Sequence, residues 1–228
     1  MGKARFVDVW LVRAGCTQWD QEGRIVGATD LPSCQAGLES ARQAATTLSH
    51  HSIAAVVTGP SEACRTTSTL IAEATQAKVR ELEALGEIGL GLWEGTLACD
   101  IEDRCPTAYR QWKSDPSSVI PPEGEAYEDA VERVAGAAQA AIKKYHRAGQ
   151  GLAIVVGPTI FGLLKCWFEK RPPSDLWQLV ENDPSLQRLT VNSDTMATVA
   201  AAAASREAQG SLSSPVGLGR PRLKLGRA

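Results

Sequence analysis

The sequence has no marked excess of positive or negative charge, since its 24 Lys and Arg nearly balance its 26 Asp and Glu. The formal net charge of −2 provides no basic field that would attract nucleic acid, so we predict no nucleic-acid partner. It also provides no acidic excess of the kind that keeps chains disordered. With 228 residues, 43% of them hydrophobic, the chain is long enough for one sizeable α/β domain or two small ones.

The sequence also lacks the cysteine spacing of metal and redox motifs. Its six cysteines are scattered without a CxxC pair, which argues against a zinc ribbon and a thioredoxin-type redox site. A disulfide scaffold is not expected at this chain length and cysteine density. The glycine-rich piece 86–95 does not have the dinucleotide spacing G-x-G-x-x-G. We therefore predict reduced thiols, no metal and no cofactor.

Long apolar runs are absent too. The longest, Leu152–Leu164, contains Pro158 and is too short to span a bilayer. The first residues lead directly into a strand-like segment, FVDVWLV, and Phe6 stands where the N-myristoylation pattern needs Ser or Thr. We predict a cytoplasmic protein with no membrane partner.

Short apolar segments alternate with amphipathic ones along the chain. We predict strands at Phe6–Val12, Ile53–Val57, Lys78–Leu82, Leu152–Val156 and Leu189–Val191. We predict helices at Leu38–Leu48, Glu62–Ala74, Tyr127–His146 and Ile160–Phe168. This order predicts a three-layer α/β/α sandwich with a mostly parallel central sheet.

Two of these strands run into loops that open helices, Arg13-Ala14-Gly15 and Gly157-Pro158-Thr159. Ligands of parallel sheets bind outside the carboxyl ends of the strands, so these loops are the first candidates for a site. Residues 1–195 are predicted to form one domain. Residues 196–228 are rich in alanine and then in basic residues, and we predict a disordered tail, with a tether to an anionic partner as the alternative.

Residues 11–24, LVRAGCTQWDQEGR, follow the motif L-V-R-H-G-E-T-x-W-N-x-x-G-R. Further matches follow at the expected separations, namely Thr58-Gly59-Pro60 with Thr67, Glu87 with Leu92-Trp93-Glu94-Gly95, PPEGE at 121–125, and Ile154–Val156. Over residues 5–192 the sequence resembles the histidine phosphatase superfamily, the phosphoglycerate-mutase-like group. The resemblance implies one α/β domain and a histidine that accepts a phosphoryl group. Two arginines and a second histidine would bind the phosphate, and an acid would protonate the leaving oxygen.

Most of that catalytic set is missing here. The nucleophile position is Ala14, and the helix arginine aligns with Ala63. Arg65 lies two residues further on and would point to a nearly opposite helix face, although a shifted helix start could still bring it to the site. The second histidine falls at Gly157 or Pro158.

Two other motif positions differ, and two are retained. Asp20 replaces the asparagine of the motif and Cys16 its glutamate, whereas Arg13 and the proton-donor position Glu87 are kept. The resemblance thus leaves Arg13, Arg24, Asp20 and Glu87 as candidate ligand-binding residues around a remnant phosphate pocket.

No substitute nucleophile is expected. The three histidines, His50, His51 and His146, fall at predicted helix ends. No cysteine has an arginine at the C-x5-R spacing of cysteine phosphatases. Cys16 beside Arg13 is interpreted as a packed or loop thiol.

We therefore predict a pseudophosphatase, a non-catalytic protein that binds an unidentified protein partner or a small anionic ligand. The alternative is a phosphatase or phosphoglycerate-mutase-like enzyme of altered mechanism, acting on a small phosphorylated substrate. Its Glu87 would activate water against a phosphate held by Arg13 and Arg24. A third hypothesis is an interaction protein whose specificity lies in the tail.

Overall fold

A computed structural model describes residues 6–145 and 150–192. The predicted tail, residues 196–228, and His146 lie outside the described residues, and the domain boundary at 195 stays a prediction. The strands, in chain order, are β1 (Phe6–Arg13), β2 (Ile53–Thr58), β3 (Lys78–Glu81), β4 (Gly151–Val156) and β5 (Leu186–Asn192). The helices are α1 (Gln18–Glu22), α2 (Gln35–Leu48), α3 (Glu62–Thr75), α4 (Ala98–Arg104), α5 (Pro106–Ser114), α6 (Tyr127–Tyr145), α7 (Pro158–Glu169) and α8 (Leu176–Asn182).

The five strands form one sheet in the order β3-β2-β4-β1-β5. The pairs β3–β2, β2–β4 and β4–β1 are parallel, and β5 pairs antiparallel with β1 along that strand's outer side. The prediction of a mostly parallel sheet is confirmed. The last strand is longer than the predicted Leu189–Val191, because its pairing with β1 also includes the polar residues Gln187, Arg188 and Asn192.

Alternation along β1 divides the core into two clusters. Val9 and Leu11 face a cluster that includes buried residues of α6, α7 and α8. Val12 and Ala14 face the opposite cluster, which includes buried residues of α2 and α3. The three-layer sandwich is therefore confirmed. Within the described ranges, no helix has the length and apolar character that a membrane crossing requires.

Helices α2 and α7 begin earlier than predicted, at Gln35 and Pro158, whereas α3 and α6 begin at the predicted residues. Ser61 caps α3, accepting a hydrogen bond from the Cys64 N–H at 3.3 Å. Helix α6 carries Glu128 and Asp129 in its first turn and Lys143 and Lys144 in its last, which suits the helix dipole. Sequence analysis did not predict α1, α4, α5 and α8, which are short helices of five to nine residues.

The loop after β1 lies directly against the beginning of α2. A Cβ atom on Gly15 would come within 2.4 Å of the Gly37 carbonyl oxygen, and one on Gly37 within 2.2 Å of the Cys16 carbonyl oxygen. Both contacts are with backbone, which cannot move aside as a flexible side chain can. This pair of glycines therefore fixes the position of Ala14 relative to α2.

We expect Gly37→Ala to lower the free energy of unfolding by about 1–3 kcal/mol or more, because the added methyl group overlaps backbone. Gly136→Ala in α6 is the matched control, since a Cβ there meets nothing within 4 Å. It should raise the free energy of unfolding by about 0.5–1 kcal/mol, the helix preference of alanine over glycine. Urea unfolding of both variants checks this, and equal stability of the two would contradict the close contact.

Candidate functional site

A cavity of about 670 Å³ opens where β1, β2 and β4 end. Its wall includes Arg13, Ala14 and Gly15 after β1, Pro60 and Ser61 after β2, and Gly157 and Pro158 after β4. The cavity therefore lies where parallel sheets place their ligands.

Two methyl groups occupy the positions where the resemblance implies a nucleophile and an arginine. Ala14 is 9% exposed, and its N–H donates to the Val156 carbonyl at 2.8 Å. Ala63 on α3 is 5% exposed and also lines the cavity. Neither side chain can bind or accept a phosphoryl group.

Arg65 does not line the cavity, although it binds two residues of the cavity wall. Its Nη2 lies 2.9 Å from Asp30 Oδ2, and its Nη1 donates to the Pro60 carbonyl. Within the described residues, the cavity wall includes Ala63 and not Arg65. The observed helix start therefore does not let Arg65 replace the arginine that the resemblance implies at position 63.

Glu87 closes the beginning of α7. Its carboxylate accepts hydrogen bonds from the N–H groups of Thr159 at 2.9 Å, Ile160 at 3.2 Å and Ile88 at 2.9 Å. The residue that precedes α7 is Gly157, whose lack of a side chain leaves these helix N–H groups without a local cap. Glu87 supplies that cap from a distant part of the chain.

The space beside Gly157 is taken by the same carboxylate. A Cβ atom at position 157 would lie 2.3 Å from Glu87 Oε2. A histidine at 157 would displace Glu87, whereas Pro158 occupies the first position of α7 and lines the cavity. Position 157 therefore has no room for a histidine side chain while Glu87 stays where it is.

Burial of the Glu87 carboxyl raises its pKa to about 7, while the three N–H bonds favour the charged form and limit the rise. The group therefore changes charge near neutral pH. A carboxyl with such a pKa is suited to proton transfer, but both of its oxygens already accept hydrogen bonds from backbone.

Arg13 lines the cavity, and its guanidinium also contacts residues of α7 and α8. Its guanidinium donates to the Val180 carbonyl in α8 and lies 5.9 Å from the centre of the Phe161 ring. Hydrogen bonding to a carbonyl uses part of the donor set with which an arginine binds phosphate.

Asp20 and Arg24 both have structural partners, Asp20 within its own loop and Arg24 also in a distant segment. Asp20 Oδ2 accepts from the N–H and hydroxyl of Thr17 at 2.6 and 2.7 Å, forming a capping box on α1. Arg24 donates to the Gly95 carbonyl at 2.7 Å and pairs with Glu22 at 2.6 Å. Of the four predicted ligand-binding residues, Arg13, Asp20 and Glu87 line the described cavity and Arg24 does not.

Sequence analysis missed Arg133, a cavity residue on α6. It forms two bonds to Glu125, at 2.5 and 2.7 Å, and donates to the carbonyls of Ala84, Gly86 and Glu87. The sequence signal that could have found it is the helical spacing of Arg133 from the apolar residues Ala130 and Val134, which places it beside the buried face of α6.

Carboxylates outnumber arginines around the cavity. The charged lining residues are Arg13, Asp20, Asp30, Glu83, Glu87 and Arg133. The side chains of Arg13, Asp20, Asp30, Glu87 and Arg133 are hydrogen-bonded to other protein atoms. The partners of Asp30 are the Glu62 N–H and Arg65. Phosphate binding requires cations and donors aimed at the anion, and here both lining arginines have protein partners.

Of the histidines that the structure describes, His50 and His51, neither gives a substitute nucleophile. His51 packs against Trp10, with 4.3 Å between ring centroids, and neither it nor His50 lines the cavity. In the part of the chain that the structure describes, no group of three His, Cys, Asp or Glu residues is placed to hold a metal ion.

Comparison with known proteins agrees with this fold. The model of the histidine phosphatase superfamily (branch 1) matches residues 9–203. The chain belongs to this family. The solved YhfR of Bacillus stearothermophilus is 27% identical, with a TM-score of 0.69 over 75% of this chain and 84% of that one. Mycobacterial hydrolase 1 has a TM-score of 0.70 over 77% and 86% of the two chains, at 22% identity, and that likeness shows the fold alone.

Two curated family members show the spread of sequence similarity. Phosphoserine phosphatase 1 of Hydrogenobacter thermophilus is 28% identical over 130 residues, which is 57% of this chain and 62% of that protein. The adenosylcobalamin/alpha-ribazole phosphatase of Salmonella typhimurium is 26% identical over 171 residues, 74% and 83% of the two chains. The match thus spans less than two thirds of the first relative and more of the second.

The raised pKa of Glu87 predicts a particular pH dependence of stability. The folded chain holds this proton up to about pH 7, whereas an unfolded glutamate releases it near pH 4.3. Between these values the folded state binds more protons, so this group's contribution to the free energy of unfolding falls as pH rises.

We expect the stability of the parent chain relative to Glu87→Gln to decline between about pH 4.5 and 7 and to level off above that. The amide adds a penalty that does not change with pH, so the slope isolates the carboxyl. Urea unfolding of both proteins measures it, and NMR titration of the Glu87 carboxyl carbon gives the pKa directly. A constant difference over this range would show that the carboxyl is ionised throughout.

Proposed function

We propose that this chain is a pseudophosphatase, a non-catalytic binding or regulatory protein on the histidine phosphatase scaffold. The observation that carries the proposal is Ala14 in the wall of the cavity, where the resemblance implies the nucleophile. A methyl group has no lone pair with which to attack phosphorus. Folds are used for many functions, so the activity of relatives does not by itself transfer to this chain.

The motif residues that remain have structural partners. Asp20 caps α1, and Arg24 ties the following loop to Gly95. Glu94 Oε1 accepts from the N–H groups of Leu90 at 2.8 Å and Ala28 at 2.9 Å, joining two loops beside the cavity. The nucleophile, one arginine and the second histidine that the resemblance implies are replaced, whereas Arg13, Glu87 and the residues that shape the cavity are kept. This pattern supports a binding role.

The predicted partner remains a protein or a small anionic ligand, and a cytoplasmic location is part of the proposal. Asp20, Asp30 and Glu83 in the cavity wall, joined by Glu87 once it ionises near pH 7, disfavour tight binding of a phosphate dianion in the cavity. This charge balance favours a protein partner over a phosphorylated metabolite.

One observation favours the alternative, an enzyme of altered mechanism acting on a small phosphorylated substrate. Glu87 has a pKa of about 7, which suits a general acid or base. The curated relatives named above carry phosphatase names. Against this, the loss of a single electrostatic donor costs about 10²–10³ in rate, and here the nucleophile and two stabilising groups are replaced together.

We expect no measurable hydrolysis of p-nitrophenyl phosphate and no acid-labile phosphoprotein. Phosphate release and radiolabelled phosphate incorporation measure the two. Turnover comparable with an active family member would support the altered enzyme, provided that Glu87→Gln abolishes it. Glu83→Gln is the control in that case, because Glu83 also lines the cavity but does not cap α7.

Restoring the nucleophile alone should recover little. In Ala14→His the imidazole would face a phosphate without the second histidine and the second arginine, and each missing donor raises the barrier by about 2.7–4 kcal/mol. The combined change Ala14→His, Ala63→Arg, Asp20→Asn and Pro158→His should form more phosphohistidine than the single variant.

Measurements of phosphatase turnover and phosphohistidine on the single and quadruple variants, side by side, test this expectation. Robust turnover of Ala14→His alone would mean that the remaining cavity already binds phosphate productively. The assignment of positions 63 and 158 to the missing arginine and histidine would then be wrong.

A further inference from the structure

Two cysteine sulfurs lie together at the edge of the cavity. Cys16 Sγ and Cys34 Sγ are 3.4 Å apart, and both residues are half-buried. Cys16 belongs to the cavity wall, and Cys34 immediately precedes α2. The four other cysteines are either buried, as Cys64 and Cys166 are, or exposed, as Cys99 and Cys105 are.

The backbone places the two cysteines opposite each other. Thr17 and Ser33 form an isolated antiparallel bridge, and the Cys34 N–H donates to the Cys16 carbonyl at 2.9 Å. Residues opposite one another in such a pair have Cα atoms about 4.5–5.5 Å apart, inside the range of about 4.4–6.8 Å found for disulfides. A disulfide would require the two sulfurs to approach by about 1.3 Å, with no change of backbone pairing.

The two thiols differ in acidity. Burial raises the pKa of Cys16 to about 11, and the thiol of Cys34 and the charge of Asp20 add to that rise. Burial acts in the same direction on Cys34, but the N–H groups of Gly37 and Ala36 at the start of α2 and the Cys16 thiol outweigh it. The pKa of Cys34 is therefore below its usual value, as for other cysteines at helix N-termini.

We propose that Cys16 and Cys34 form a redox-active dithiol that low-molecular-weight disulfides, such as oxidised glutathione, convert reversibly to a disulfide. This proposal does not depend on the proposed function. In it, Cys34 is the attacking residue and Cys16 the resolving one.

The reaction is two thiol–disulfide exchanges. The Cys34 thiolate attacks one sulfur of glutathione disulfide, whose S–S bond breaks, and the first glutathione leaves and takes up the proton that Cys34 has lost. The Cys16 thiol then loses its proton and attacks the Cys34 sulfur, and the second glutathione leaves and takes up that proton. Two protein thiols are oxidised to one disulfide, and one glutathione disulfide is reduced to two thiols.

Oxidation would link the cavity wall to α2 covalently. The chain between Cys16 and Cys34 contains α1 and the following loop, and Thr17, Asp20 and residues 26–31 of this segment line the cavity. The disulfide would close this segment into a ring and restrict its motion.

The test uses the full chain, reduced and then equilibrated without oxygen in buffers of graded glutathione to glutathione-disulfide ratio. After acid quenching and alkylation, peptide mass spectrometry assigns the state of each cysteine. We expect oxidation of the native protein to form a Cys16–Cys34 cross-link, so that these two cysteines are no longer alkylated. The oxidised form should have a higher Tm than the reduced form. Cys99 and Cys105 are exposed and serve as internal controls. We expect them to form no protein disulfide and therefore to be alkylated after the quench.

Variants identify the roles of the two thiols. Cys16→Ser should accumulate glutathione on Cys34, because the resolving thiol is gone, whereas Cys34→Ser should leave Cys16 as a free thiol. The parent chain should bind one equivalent of phenylarsine oxide, a reagent for paired thiols, and each variant should lose this binding.

The parent chain alone decides the outcome if a variant fails to fold. Full alkylation of Cys16 and Cys34 in a large excess of oxidised glutathione would overturn the proposal. So would glutathione addition at Cys99 and Cys105 with no cross-link between Cys16 and Cys34.

Discussion

The N–H groups at the start of α7 need hydrogen-bond acceptors, and this requirement governs the cavity. Helix α7 is buried along most of its length, so N–H groups left unpaired at its first turn would be costly. Gly157 and Pro158 have no side chain that accepts hydrogen bonds, and Glu87 meets the need from another loop. The carboxylate of Glu87 thus holds the helix in place. Its position in turn leaves no space for a side chain at 157.

Features encoded by neighbouring residues could be predicted from the sequence. The four parallel strands, the cap of α3 and the placement of Ala14 at a strand end all follow from patterns of a few residues. Partners that are distant in sequence could not be predicted. Arg13 donates to Val180, which is 167 positions away, and Glu87 accepts from Thr159, which is 72 positions away.

Such distant contacts also explain why one residue predicted for the site does not line the cavity and why one residue that lines it was not predicted. Arg24 lies in the matching motif, but its orientation is set by Gly95, a residue of another segment. Arg133 lies outside every quoted motif and still reaches the cavity, because α6 packs beside the loop of Glu87. A motif specifies residue types and spacing, whereas the direction of a long side chain depends on its neighbours in space.

The β3 edge of the sheet bears on how copies of this chain meet. An exposed strand edge offers unpaired N–H and carbonyl groups with which another chain can extend the sheet. Here β3 is the outermost strand at that edge and has four residues, of which Lys78, Arg80 and Glu81 are charged. Its shortness and its charges oppose the addition of a further strand, so the sheet is protected at this edge from growing into aggregates.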